Sequence, residues 1–153
     1  TVIGDGPLRS ELQAQAEQLQ IRADFLGVQP PEVVHQRMRE ARLLAAPSVR
    51  TEQDAEGLGM VFLEAQALGR PVVGFASGGI GEAVLADQTG LLCAERDVDT
   101  LAHNLLRVLQ DDALAARLGA AGAQRVRASF DVRAQTQQLE ALYDEVRAGR
   151  GQA

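Results

Sequence analysis

With 153 residues, a formal net charge of −6 and 46% hydrophobic residues, the chain has the size and composition of one globular domain. The acidic balance argues against the concentrated basic face that a nucleic-acid partner needs. All fifteen basic residues are arginine, so the chain has no Gly-Lys pair for a P-loop, no Schiff-base amine, and none of the lysine that a receiver domain normally uses.

The opening Thr1-Val2-Ile3 is strand-like and lacks an initiating methionine or a basic-then-apolar leader, so it reads as the start of an excised piece. No apolar run approaches the length of a bilayer span. After the Gly4-Asp5-Gly6-Pro7 loop, the pattern predicts a helix over 8–19 and a strand over 23–26. The Gly27-Val28-Gln29-Pro30 loop leads into a helix over 31–40 and a strand over 43–46. A long loop, 47–59, precedes an apolar helix over 59–68 and a strand over 72–75. The Ser77-Gly78-Gly79-Ile80-Gly81-Glu82 loop then runs into a short helix over 81–86 and a strand over 91–93. Three amphipathic helices follow, over 98–109, 113–128 and 132–147, and 149–153 reads as a frayed tail.

Early strands without polar alternation, each followed by a helix, imply a parallel sheet covered on both faces. The predicted fold is therefore α/β, a Rossmann-like doubly wound domain over 1–148 with a helical C-terminal tail. In such sheets ligands bind at the carboxyl ends of the strands, which directs attention to the four loops.

The stretch Glu56-Gly57-Leu58-Gly59-Met60-Val61-Phe62-Leu63-Glu64-Ala65 carries the most chemistry. From Met60 to Leu68 it is apolar nearly all round, so Glu64 reads as a carboxylate in a buried helix. That is costly without a partner, and no lysine or neighbouring arginine supplies one. A ligand diol such as a ribose would suit its two oxygens. Gly57 and Gly59 let a ligand approach the start of the helix, where free amides and the dipole favour an anion such as a diphosphate. Glu56 stands at the mouth of that site. The alternative is that Glu56 caps the helix and Glu64 reaches solvent. Gly78 and Gly79 offer a second close approach, although neither this loop nor Gly4-Asp5-Gly6-Pro7 completes a dinucleotide fingerprint.

In order and spacing, these pieces resemble the C-terminal, donor-binding domain of GT-B glycosyltransferases, specifically glycosyltransferase family 4. The resemblance rests on Gly4-Asp5-Gly6-Pro7-Leu8, Phe25-Leu26-Gly27, Ala46-Pro47-Ser48, the pair Glu56 and Glu64, Leu68-Gly69-Arg70-Pro71-Val72-Val73, Ser77-Gly78-Gly79-Ile80 and Thr89-Gly90-Leu91-Leu92. It implies a retaining, metal-independent enzyme without a cofactor, which transfers a sugar from a nucleoside diphosphate sugar. By matched position, Glu64 would hold the nucleotide ribose and Glu56, the catalytic candidate, would contact hydroxyls of the transferred sugar. The Gly57-Leu58-Gly59 backbone would take the diphosphate. Gly27 and Val28 would lie against the base, and Gly4, Gly6, Gly78, Gly79 and Glu82 would complete the donor site.

The resemblance also implies a missing N-terminal acceptor domain, a route to peripheral membrane association through it, and a role in polysaccharide synthesis. The family's arginine-lysine pair for the diphosphate lies upstream of this chain, and Gly81 replaces its usual proline. A sugar-nucleotide epimerase of the same architecture and a non-catalytic nucleotide-binding module are the alternatives. A lone Cys93 in a strand reads as a small buried hydrophobe in a cytoplasmic protein. Asp97-Val98-Asp99 reads as a helix cap rather than a metal motif. His35 and His103 read as surface or boundary residues, and Arg70, Arg125 and Arg127 as solvated.

Overall fold

The computed structural model describes residues 1–51 and 56–150. The loop predicted over 47–59 and the tail predicted over 149–153 therefore each fall partly outside the described residues. The chain divides into two compact units, Thr1–Glu40 and Ala41 onward.

The first unit holds α1 (Arg9–Gln18) and α2 (Pro31–Glu40). Helix α2 starts on Pro31, whose fixed φ and absent N–H suit the first helical position. The two early strands of the sequence reading shrink to one parallel bridge between Val2 and Phe25. Val2 N–H donates to Asp24 O and Leu26 N–H to Val2 O, so the pairing direction is as expected but the ladder is short. Pro7 and Leu8 form a turn, and helix α1 begins only at Arg9.

The second unit carries a three-stranded parallel sheet in the order β1 (Leu44–Ala46), β2 (Val72–Phe75), β3 (Leu91–Cys93). Its helices are α3 (Met60–Ala67), α4 (Ile80–Ala83), α5 (Val98–Gln110), α6 (Asp112–Ser129) and α7 (Val132–Arg150). The central strand β2 is buried throughout, as a strand covered on both faces must be. Successive side chains alternate between those faces. On one face Val73 packs with Leu91, Val108 of α5, and Ala115 and Leu118 of α6. On the other, Gly74 leaves no room for a Cβ, because the Phe62 ring of α3 and the Ala46 carbonyl fill that space. Helix-covered faces on both sides of a parallel sheet make this a doubly wound α/β unit.

Helix ends follow the expected chemistry. Asp97 Oδ1 accepts from Thr100 N–H at 3.0 Å and caps α5, and Asp111 Oδ1 accepts from Leu114 N–H at 2.9 Å and caps α6. The hydrogen bonds from Thr100 hold the Asp97 carboxyl below the ordinary carboxylate range. Cys93 is buried, and burial, followed by the Asp97 charge, pushes its thiol up. Two arginines read as solvated are instead partly buried. Arg70 donates to the Ala41 carbonyl at 3.3 Å. Arg125 lies 5.4 Å above the centroid of the Phe130 ring and donates to the Glu82 carbonyl at 2.6 Å. The apolar face predicted on the last helix exists but is uncovered: Leu139, Leu142, Tyr143 and Val146 of α7 are all exposed.

Candidate functional site

In the second unit two of the predicted loops meet at the carboxyl edge of the sheet. One, Glu56-Gly57-Leu58-Gly59, enters α3; the other, Ser77-Gly78-Gly79, leaves β2 and enters α4. Gly79 N–H donates to the Glu56 carbonyl at 3.1 Å. Gly78 and Gly79 pack so closely on the backbone of Glu56 and Gly57 that neither could carry a Cβ without moving the loop. These glycines therefore act first on one another's loops. Gly81 and Glu82 follow on α4 and are exposed.

Gly59 sits at the N-cap of α3 with φ 74° and ψ 58°, a left-handed conformation that glycine adopts without cost. The Phe62 ring and Ile80 close off the space where a side chain would stand. The Gly59 amide is already engaged, since Glu56 Oε1 accepts from it at 3.1 Å. The Glu56 carboxylate thus lies at the positive end of α3, where a negative charge is stabilised. The sequence reading gave that amide to a diphosphate, whereas here it holds Glu56. The first-turn amides of Met60 and Val61 have no intrahelical acceptor and remain the donors at this helix start.

Glu64 stands one turn into α3. The helix is not apolar all round in its surroundings: Phe62, Leu63, Ala65 and Gln66 are buried, while Met60 and Ala67 are exposed. Glu64 shares the Met60 and Ala67 stripe and is half-buried, so it is not the fully enclosed carboxylate that composition suggested. Among the described residues no side chain or amide hydrogen-bonds its carboxylate.

The other two loops meet in the first unit. Gly4 N–H donates to the Gly27 carbonyl at 2.9 Å. Gly4 and Gly27 both have positive φ, and Gly6 is exposed. Arg9 fixes this corner by donating to the Phe25 carbonyl at 3.1 Å and pairing with Asp5 at 3.6 Å. Val28 projects into solvent, 77% exposed. A cavity of about 330 Å³ opens beside the Gly4 to Leu8 turn.

Arg125 is the contributor that the sequence reading missed. From α6 it ties down the backbone at Glu82, 43 residues earlier, at the far end of the glycine loop. Nothing in its local sequence distinguishes it from Arg127 on the same helix. Among the described residues no three His, Cys, Asp or Glu side chains come together as metal ligands, and no helix is long and apolar enough to cross a membrane.

The family model for glycosyl transferases group 1 matches residues 1–125. The chain belongs to that family. It is 37% identical over 132 residues to the GDP-mannose-dependent monoacylated alpha-(1-6)-phosphatidylinositol monomannoside mannosyltransferase of Corynebacterium glutamicum. That match covers 84% of this chain and 34% of the relative. A second relative, the D-inositol 3-phosphate glycosyltransferase of Corynebacterium efficiens, is 37% identical over 81% of this chain and 28% of its own length. The chain thus spans about a third of the curated relatives it matches. Among solved structures, sucrose-phosphate synthase from Thermosynechococcus elongatus superposes with a TM-score of 0.81 at 30% identity, over 96% of this chain and 38% of that one. Anabaena HepE, solved in complex with UDP-glucose, gives 0.80 at 27% identity, over 94% of this chain and 40% of that one. The expected GT-B glycosyltransferase architecture, with a Rossmann-like α/β fold, is thereby borne out.

Proposed function

We propose that the chain is the donor-binding part of a retaining glycosyltransferase, which moves a sugar from a nucleoside diphosphate sugar to an acceptor held by another domain. The observation that carries this reading is the open start of α3. Among the described residues the half-buried Glu64 carboxylate has no hydrogen-bond partner, and it stands one turn from first-turn amides that have no intrahelical acceptor. Glu64 accepts hydrogen bonds from the ribose hydroxyls, and the amides of Met60 and Val61, with the helix dipole, take the diphosphate. Glu56, held by the Gly59 amide, faces the transferred sugar. No metal is required because amides and dipoles stabilise the leaving diphosphate. One relative is GDP-mannose-dependent by name and HepE was solved with UDP-glucose, so the proposed donor class is a nucleoside diphosphate sugar. The enzyme works in the cytoplasm, in polysaccharide synthesis, and its acceptor domain provides peripheral membrane contact.

Calorimetric titration of UDP and GDP into the chain tests the reading. At least one should bind weakly and saturably, and neither donor sugar should be turned over with any acceptor by this chain alone. Absence of nucleotide binding would overturn the donor assignment, and turnover by the chain alone would overturn its incompleteness.

A further inference from the structure

The carboxyl end of the short helix α4 is fastened by two side chains that come from different helices. With four residues, α4 is about 6 Å long at 1.5 Å per residue, and the chain leaves it at Val84 in an extended conformation. The Glu82 and Ala83 carbonyls therefore have no following turn to supply a donor. Side chains supply them instead. Arg125 Nη2 of α6 donates to Glu82 O at 2.6 Å, and Gln66 Nε2 of α3 donates to Ala83 O at 3.1 Å.

Both donors are held in place. Gln66 is fully buried and also donates to Phe62 O at 3.2 Å. It packs on Gly122 of α6 so closely that a Cβ there would meet it at 2.8 Å. Arg125 stands one turn beyond Gly122, with its guanidinium 5.4 Å from the centroid of the Phe130 ring. Earlier on the same helix, Arg117 donates to Asp87 O at 3.2 Å, so α6 grips the segment after α4 at a second point.

The other end of α4 carries the glycine loop. Gly79 N–H donates to Glu56 O at 3.1 Å, and Glu56 Oε1 in turn accepts from the Gly59 amide. A shift at the carboxyl end of so short a helix reaches these glycines directly. We infer that Arg125 is a positioning residue, which acts through α4 to set the glycine loop and, through that loop, the Glu56 carboxylate. Gln66 shares the task but is also core, so Arg125 is the separable part. The loop contacts stand by themselves; their bearing on sugar transfer rests on the donor reading above, in which Glu56 faces the transferred sugar.

Amide hydrogen exchange in the isotope-labelled chain tests the first link. Arg125→Met keeps an apolar stem near Phe130 and removes the donors, so exchange at the Gly79 and Gly59 amides should quicken about tenfold. Exchange at Val73 and Leu118 in the core should not change. Arg125→Lys restores a charged donor and should recover most of the protection. Arg127→Met, at an exposed arginine of the same helix, should change nothing. In the complete enzyme, Arg125→Met should lower turnover about tenfold with the Michaelis constant for donor nearly unchanged, because Glu56 is misplaced while the nucleotide contacts remain. Arg125→Lys should recover turnover. The inference fails if Gly79 exchange is unaltered, if the core amides quicken equally, or if turnover is unchanged although the loop has loosened. A parent enzyme without sugar transfer would refute the donor reading instead, and the exchange rates would still decide whether Arg125 sets the loop.

Discussion

Phe62→Ala should destabilise the second unit by about 3–5 kcal/mol, the cost of emptying a large aromatic site in a close-packed core. Phe62 is fully buried and its ring occupies the space over Gly74 of the central strand and against Gly59 at the start of α3. Collapse around the cavity is restricted on one side by backbone, because the Ala46 carbonyl also abuts Gly74. The same ring supports the left-handed turn at Gly59, so the loss should also loosen the loop that holds Glu56. Phe62→Leu keeps most of the volume and should cost less, about 1.5 kcal/mol or under if the neighbours repack. Urea denaturation of both variants, monitored by far-ultraviolet circular dichroism, measures the difference. A midpoint for Phe62→Ala indistinguishable from the parent would show that Phe62 does not anchor α3 to the sheet.

Much of this architecture is legible in the sequence, because strand and helix periods differ and the breakers are well placed. Pro31 marks a helix start that the structure reproduces, and the apolar runs at 43–46, 72–75 and 91–93 are β1 to β3 with shifts of one residue at most. The first two strands are less well specified. Val2-Ile3 and 23–26 have the composition of strands but make only one bridge, since strand length depends on neighbours that composition does not reveal.

Side-chain destinations are harder to read than elements. Met60 and Ala67 are apolar but exposed, and counting them as core made Glu64 look enclosed. Arg70 and Arg125 sit in polar stretches, yet each folds back onto a distant carbonyl, a contact fixed only by tertiary packing. At Glu56 the sequence locates the helix mouth, and the three-residue reach back from Gly59 is compatible with both a cap and a ligand contact. In the structure Glu56 Oε1 accepts from the Gly59 amide, and a carboxylate held in this way still has its second oxygen for a substrate hydroxyl.

Under the proposed function, replacing the two glutamates in the complete enzyme should give different kinetic signatures. Glu64 is assigned to the ribose, which is held before, during and after transfer. Its contribution is largely uniform binding, so Glu64→Gln should raise the Michaelis constant for donor more than it lowers turnover. A hydrogen bond to a charged acceptor contributes about 1.5–3 kcal/mol, which corresponds to roughly ten- to hundredfold weaker donor and free nucleotide. Glu56 is assigned to the transferred sugar, near the centre where positive charge develops, so its charge should count most in the transition state. Glu56→Gln should chiefly lower turnover and leave the affinity for free nucleoside diphosphate nearly unchanged. Because Glu56 also accepts from the Gly59 amide, the glutamine variant, which retains an acceptor oxygen, is the informative one, and alanine would disturb the helix start as well. Calorimetric titration of nucleotide into both variants, with steady-state kinetics alongside, separates the assignments. Equal loss of nucleotide affinity in both would mean that the two roles are wrongly divided between the glutamates.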